Sequence, residues 1–176
     1  MIRPALLALL LATPAFAVGS DDSEPPKPTP TSTDCKRGEV WDEKTSKCLP
    51  KQSSGLSDDQ RYGAVRELAY AARLDEAQDM LAAMTEGDTD RVLTYRGFLA
   101  RKQGDWAAGQ AYYLAAITLN PDNLLVRSYM GQGLAERGDR AGAEAQLAEI
   151  IGRGGEGTWA QTALTRAITS GKGYSY

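Results

Sequence analysis

The chain has no histidine among its 176 residues. That removes the side chain that ordinarily titrates near neutral pH, and with it the commonest metal ligand. A Ser-His-Asp or Cys-His nucleophilic site and a His-bearing zinc site are excluded. Cysteine is nearly absent as well, with only Cys35 and Cys48, and the twelve residues between them make no CxxC redox pair. Two thiolates alone do not complete a zinc tetrahedron. Aromatic residues make up only 7% of the chain; Gly and Ala are common instead, as in closely packed helices. The charge balance is mild, at −3. Arg3 is the one charged residue in the first 17, so without them 19 basic residues (20 minus 1) face 23 acidic ones. A nucleic-acid partner is not expected, because it needs clustered Lys and Arg to displace phosphate counterions.

No second apolar run follows the one at the N-terminus. There, Met1 to Pro4 is a short basic region, Ala5 to Ala12 is apolar, and Ala15-Phe16-Ala17 is a small-x-small cleavage site. This is the layout of a secretory signal peptide over residues 1–17. The apolar run is shorter than the ~20 residues of a spanning helix. Export, with no stable membrane insertion after cleavage near Ala17, is therefore expected. Residues 18–34 carry Pro25, Pro26, Pro28 and Pro30 among polar residues and read as a spacer linker. In an exported chain Cys35 and Cys48 are most simply a disulfide. The spacing predicts a stapled hairpin over residues 35–50, with Glu39-Val40-Trp41 running out, a turn at Asp42 to Ser46, and Lys47-Cys48-Leu49 running back. A second linker, 51–57, follows. From Asp58 to Ser170 proline almost vanishes and apolar residues recur at helical spacing. Residues 171–176 form a tail.

Within the helical region one shift of 34 residues aligns like with like. Gly97 falls on Gly131, Gly104-Asp105 on Gly138-Asp139, Gly109 on Ala143, Tyr113 on Leu147 and Ala116 on Ile150. Small residues let paired antiparallel helices approach, and large ones fill the space between them. These residues resemble the tetratricopeptide repeat family. Leu93, Gly97, Gly104-Asp105-Trp106, Gly109, Tyr113, Ala116 and Pro121 follow its pattern. A second copy keeps Gly131, Gly138 and Ala143, but it has Gly155 in place of the proline and Arg127 at a large apolar position. A weaker copy precedes them, with Ala77 standing 32 residues before Gly109. The resemblance implies an all-α, right-handed solenoid: helix pairs near 58–86, 90–119 and 124–152, and a capping helix near 156–170.

The family's first helices line a concave groove. Carried over, that groove comprises Tyr62, Arg66 and Tyr70; Arg91, Thr94, Phe98, Arg101 and Lys102; and Leu125, Ser128, Gln132 and Glu136. Aromatics and cations on one face suit an extended or acidic peptide, with Tyr70, Phe98 and Arg101 as anchors. The expected function is a non-enzymatic, cofactor-free adaptor or scaffold in an extracytoplasmic compartment such as a bacterial periplasm, in envelope assembly or cell-wall processes. The alternative is a cell-wall glycan binder that uses the Cys35–Cys48 hairpin and Trp41. That segment's Cys, Gly, Trp and Cys resemble the stapled hairpins of some carbohydrate-binding modules. Other motifs have plainer readings. Gly152-Arg153-Gly154-Gly155-Glu156-Gly157 matches GxGxxG but follows a helix, not a strand, and so reads as a loop. Gly171-Lys172-Gly173 lacks the hydroxyl residue of a phosphate loop. The acidic pairs Asp58-Asp59, Asp75-Glu76 and Asp88/Asp90 fall at helix starts, where they complement the macrodipole.

Overall fold

The structure, a computed structural model, describes residues 24–173. The predicted signal segment and the last three residues lie outside that range. The described residues comprise a short helix α1 (Pro30–Thr33), a two-stranded antiparallel hairpin of β1 (Glu39–Asp42) and β2 (Lys47–Pro50), and seven longer helices. Those are α2 (Asp58–Tyr70), α3 (Leu74–Leu81), α4 (Asp90–Lys102), α5 (Trp106–Leu119), α6 (Leu124–Glu136), α7 (Arg140–Gly152) and α8 (Trp159–Ser170). The fold is mostly helical, as the spacing predicts. No helix among the described residues is long and apolar enough to cross a membrane.

The repeated Gly-Asp pair explains how α4 turns into α5 and α6 into α7. Gly104 and Gly138 adopt left-handed backbones, with φ of +94° and +82°. The amides that follow, of Asp105 and Asp139, donate back to Ala100 and Leu134 carbonyls and close each helix. Each aspartate then caps the next helix, Asp105 accepting from the Ala108 amide and Asp139 from that of Gly142. One dipeptide therefore ends one helix and starts another. At the weak copy Ala72 takes the left-handed position, φ +57°, and Arg73 offers no side-chain cap. The acidic pairs do sit in first turns: Asp58 and Asp59 in α2, Asp75 and Glu76 in α3, and Asp90 in α4.

Glycine sets the closest helix approach. A methyl built on Gly97 would stand 2.5 Å from the Tyr113 ring and 3.0 Å from the Gly109 carbonyl oxygen. On Gly131 it would meet Leu164 of α8 at 2.7 Å. Arg127, anomalous in the repeat pattern, is buried with its guanidinium donating twice to the Pro121 carbonyl, at 2.9 and 3.1 Å. It thus closes the α5–α6 connection. α8 covers the end of α6 and α7, with Ala160, Ala163, Leu164 and Ala167 fully buried.

The N-terminal segments correct the expectation of a free linker and a separate hairpin. Cys35 and Cys48 are bonded, Cα–Cα 5.6 Å, and Trp41 pairs opposite Cys48 in the ladder. The hairpin, however, is packed onto α2. Val40 and Leu56 join the core beside Tyr62 and Val65. Asp42 accepts from Gln60 Nε2 at 2.9 Å, and Arg61 donates to the carbonyls of Lys51 and Ser53 at 2.8 and 2.9 Å. The stretch 24–34 is tied down by one carboxylate. Glu67 accepts from the Thr29 amide and hydroxyl at 2.7 Å each, from the Ser32 amide at 3.0 Å, and from the Ser32 hydroxyl. A proline-rich composition cannot reveal such an anchor, because the partner lies 35–38 residues away.

Candidate functional site

The predicted groove positions fall into two sets. Tyr70 of α2 and Phe98, Arg101 and Lys102 of α4 come together. Tyr70 and Phe98 stack in parallel with centroids 5.8 Å apart, and Arg101 and Lys102 stand over the Phe98 ring at 5.4 and 5.8 Å. Tyr129 of α6 and Trp159 of α8 complete the cluster: Phe98 and Tyr129 are 4.8 Å apart, and the Trp159 indole donates to the Tyr70 hydroxyl at 3.2 Å. Tyr62 stands apart, edge-on to Tyr95 and beneath the Arg91 guanidinium, which is itself held by Glu86 and Asp59. Arg66 donates to the Glu24 carbonyl. Thr94 donates to its own helix at Asp90, Ser128 to the Ala160 carbonyl, and Gln132 to Ser128.

Most of these residues are interior. Tyr70, Phe98 and Arg101 are 7%, 3% and 7% exposed, and Thr94, Ser128 and Gln132 at most 1%. This corrects the expectation of open peptide anchors. The inner faces of α2, α4, α6 and α8 meet one another through their aromatic rings. Sequence reasoning missed Tyr95, Tyr129 and Trp159. For the first two a signal existed: they are 34 residues apart and their hydroxyls meet at 3.0 Å, so each is the other's repeat equivalent.

The interior cluster is polar at its centre. The Tyr129 hydroxyl donates to that of Tyr70 at 2.9 Å, linking three tyrosines in a chain. Burial pushes the Tyr70 phenol up, those of Tyr95 and Tyr129 well up, and that of Tyr113 up to about 12. Burial, with the neighbouring Arg101 charge, lowers the Lys102 ammonium. Arg101 donates to Glu136 at 2.7 Å, while its Nε and Nη2 find no acceptor. These groups favour neutral phenols and a fixed ion pair. That chemistry suits an ordered core rather than proton transfer. No group of three or more His, Cys, Asp or Glu side chains able to hold a metal occurs among the described residues.

An exposed apolar surface lies elsewhere, on the outer face of α5. This helix has no charged residue along its 14 positions. Ala107, Ala111 and Ala115 are exposed, and Leu114 and Leu119 are 51% and 59% exposed. The repeat supplies an internal control. Thirty-four residues on, the equivalents of Ala107, Ala111 and Leu114 are Ala141, Ala145 and Ala148, while Glu149 stands for Ala115 and, just past the end of α7, Arg153 for Leu119; α7 exposes one large apolar side chain, Ile151, at 45%. Charge is therefore tolerated at the positions of Ala115 and Leu119, and packing does not dictate apolar residues there. Comparison with models of known families, with curated proteins and with solved structures finds no match for this chain.

Proposed function

We propose that the protein is an exported adaptor whose tetratricopeptide-type helix pairs form a short solenoid and hold a partner protein on the outer face of α5. The reading rests on one observation: Ala107, Ala111, Leu114, Ala115 and Leu119 leave the exposed face of α5 without charge, whereas the repeat places Glu149 and Arg153 at two of the five equivalent positions. Scattered surface leucines need no explanation, but a contiguous apolar face marks interaction surfaces. The alanines allow close approach, and Leu114 and Leu119 supply knobs. The partner that fits is an amphipathic helix or a similar apolar face. The Cys35–Cys48 bond and the signal-like N-terminus support an extracytoplasmic setting such as a periplasm.

The test is crosslinking of the mature protein in its native envelope fraction, followed by affinity measurement on the recovered partner. Leu114→Glu and Leu119→Glu should each weaken binding by at least about 1 kcal/mol while leaving the thermal melt unchanged. Glu149→Ala on α7 is the control. Equal binding by wild type and both leucine variants would reject the α5 face.

A further inference from the structure

A surface cleft of about 380 Å³ opens between α3 and α5, with α4 beneath it. Leu81 of α3 and Leu99 of α4 are buried at its base, and Ala108 and Tyr112 of α5 form one wall. Gln78 and Gln103 bond across one edge at 3.1 Å. The two charged groups in its lining are held in place: Arg96 donates to Asp88 at 2.6 Å, and Asp105 accepts from the Ala108 amide. What the cleft offers an occupant is an apolar seat.

The seat and an exposed leucine belong to one stripe. Ala108, Tyr112, Ala115 and Leu119 follow one another at steps of four, three and four, so they share one side of α5. The first two line the cleft. The last is exposed and stands 11 residues from Ala108, about 16 Å along the axis. α5 thus carries a hollow near its N-terminal end and a knob at its C-terminal end. A two-fold axis across the middle of the helix exchanges those ends. It sets each Leu119 beside the other copy's Ala107 and Ala108, and Ala111 against Ala115, where small side chains let the backbones approach. Because such an axis keeps like side to like side, the knob arrives on the side of the helix where the cleft opens.

We infer that α5 pairs with α5 of a second copy of this chain, antiparallel about such an axis, with each Leu119 seated in the other copy's cleft. The pairing rests on the reading of α5 proposed above and gives that surface its partner. A two-fold interface uses one patch twice and requires it to be self-complementary, and this patch holds both knob and hollow. Charge agrees. α5 has no charged residue, so no like charges meet along its length. Each end carries both signs: Asp105 with Arg137, which stands over Trp106, and Asp122 paired with Arg153. Setting one end against the other gives each acid a base, and opposed helix dipoles favour the same direction.

The test is the molecular mass of the purified mature chain, by light scattering and sedimentation over a concentration series. One helix face is small beside the ~800 Å² per partner of a stable interface, so a dimer with a Kd of about 10–100 μM is expected. Ala115→Glu and Leu119→Arg should each weaken it at least about tenfold without lowering the melt, because the repeat carries Glu149 and Arg153 at those positions. Ala108→Leu fills the cleft and leaves both exposed leucines in place, and it should weaken the dimer by a similar factor. A merely adhesive face would associate as well or better with the added leucine, and that result would overturn the inference. So would a monomer at about 500 μM, a dimer that all three variants retain, or an open-ended series of higher oligomers. A monomer that captures a different protein through Leu114 and Leu119 removes the second copy and leaves the α5 reading standing.

Discussion

Two glycines inside helices should respond to the same substitution with opposite signs. At Gly97, an added methyl would lie 2.5 and 2.6 Å from two carbons of the Tyr113 ring and 3.0 Å from the Gly109 oxygen. The ring has nowhere to go, since Tyr113 is fully buried, and the oxygen belongs to the backbone of α5. Overpacking of this kind costs about 1–3 kcal/mol, against roughly 1 kcal/mol gained from better helix propensity. Gly97→Ala should therefore lose up to about 2 kcal/mol net, and Gly97→Leu more. At Gly63 the methyl meets open space, so Gly63→Ala should gain up to about 1 kcal/mol. For a chain of this length, 1 kcal/mol moves the melting temperature by about 2–4 °C. The pair should thus separate by up to roughly 6–12 °C in thermal circular dichroism, Gly97→Ala melting lower. The design needs no absolute scale, because each variant is the other's control. If Gly97→Ala melts at or above Gly63→Ala, the α4–α5 crossing is wrongly placed and the repeat register fails with it.

Two further outcomes follow from the way the N-terminal segment and the tyrosines are held. Closing a loop of this size stabilises a chain by about 3 kcal/mol in the loop-entropy model. Because Val40 and Leu56 belong to the main core, Cys35→Ser/Cys48→Ser should lower the melting of the whole helical domain; an unchanged melt would mean that the hairpin is an independent unit after all. The second outcome is alkaline. Burial raises the phenol pKa of Tyr70, Tyr95, Tyr113 and Tyr129 above the unfolded value near 10. Below pH 10 both folded and unfolded chains keep these phenols neutral, and stability is unaffected by them. Above it only the unfolded chain ionises freely, so stability should fall as pH rises. Absorbance at the tyrosinate band should show these four ionising together with unfolding; early, non-cooperative ionisation of all eight tyrosines would contradict their burial.

The repeat was legible because its determinants are local. Gly104-Asp105 and Gly138-Asp139 each encode a left-handed helix end and the next helix's cap within two residues, so both boundaries follow from the dipeptide. Gly97 with Gly109 shows as a pair of small residues on successive helices. The hairpin was legible for the same reason, since its register is set by a short turn and a covalent bond. What was not legible depends on distant partners. Glu67 anchors Thr29 and Ser32 across more than thirty residues, and nothing in a Pro-, Ser- and Thr-rich stretch announces that one carboxylate will collect four of its donors.

The groove was misjudged for a related reason. Tyr70, Phe98 and Arg101 are the residue types that build interface hot spots, but they are equally the types that fill a core and brace it with an ion pair. Composition alone cannot separate the two uses; the distance between helices does. Trp159 and Tyr70 are 89 residues apart, yet indole and hydroxyl are within hydrogen-bonding distance. That contact spans the whole helical region and lies in no alignment of neighbouring copies. Burying each large ring stabilises the fold by about 1.5–3 kcal/mol, so a face carrying Tyr70, Phe98, Tyr129 and Trp159 gains by closing on itself. With that face closed, the partner surface proposed above is sought on the outside. The features its own stability does not require are the uncharged outer face of α5 and the exposed Gly63 inside α2. The first lacks the charges that stand at Glu149 and Arg153, the equivalents of Ala115 and Leu119, and the second gives up helix propensity without any packing return. The first of these departures is where the proposed partner is to be sought.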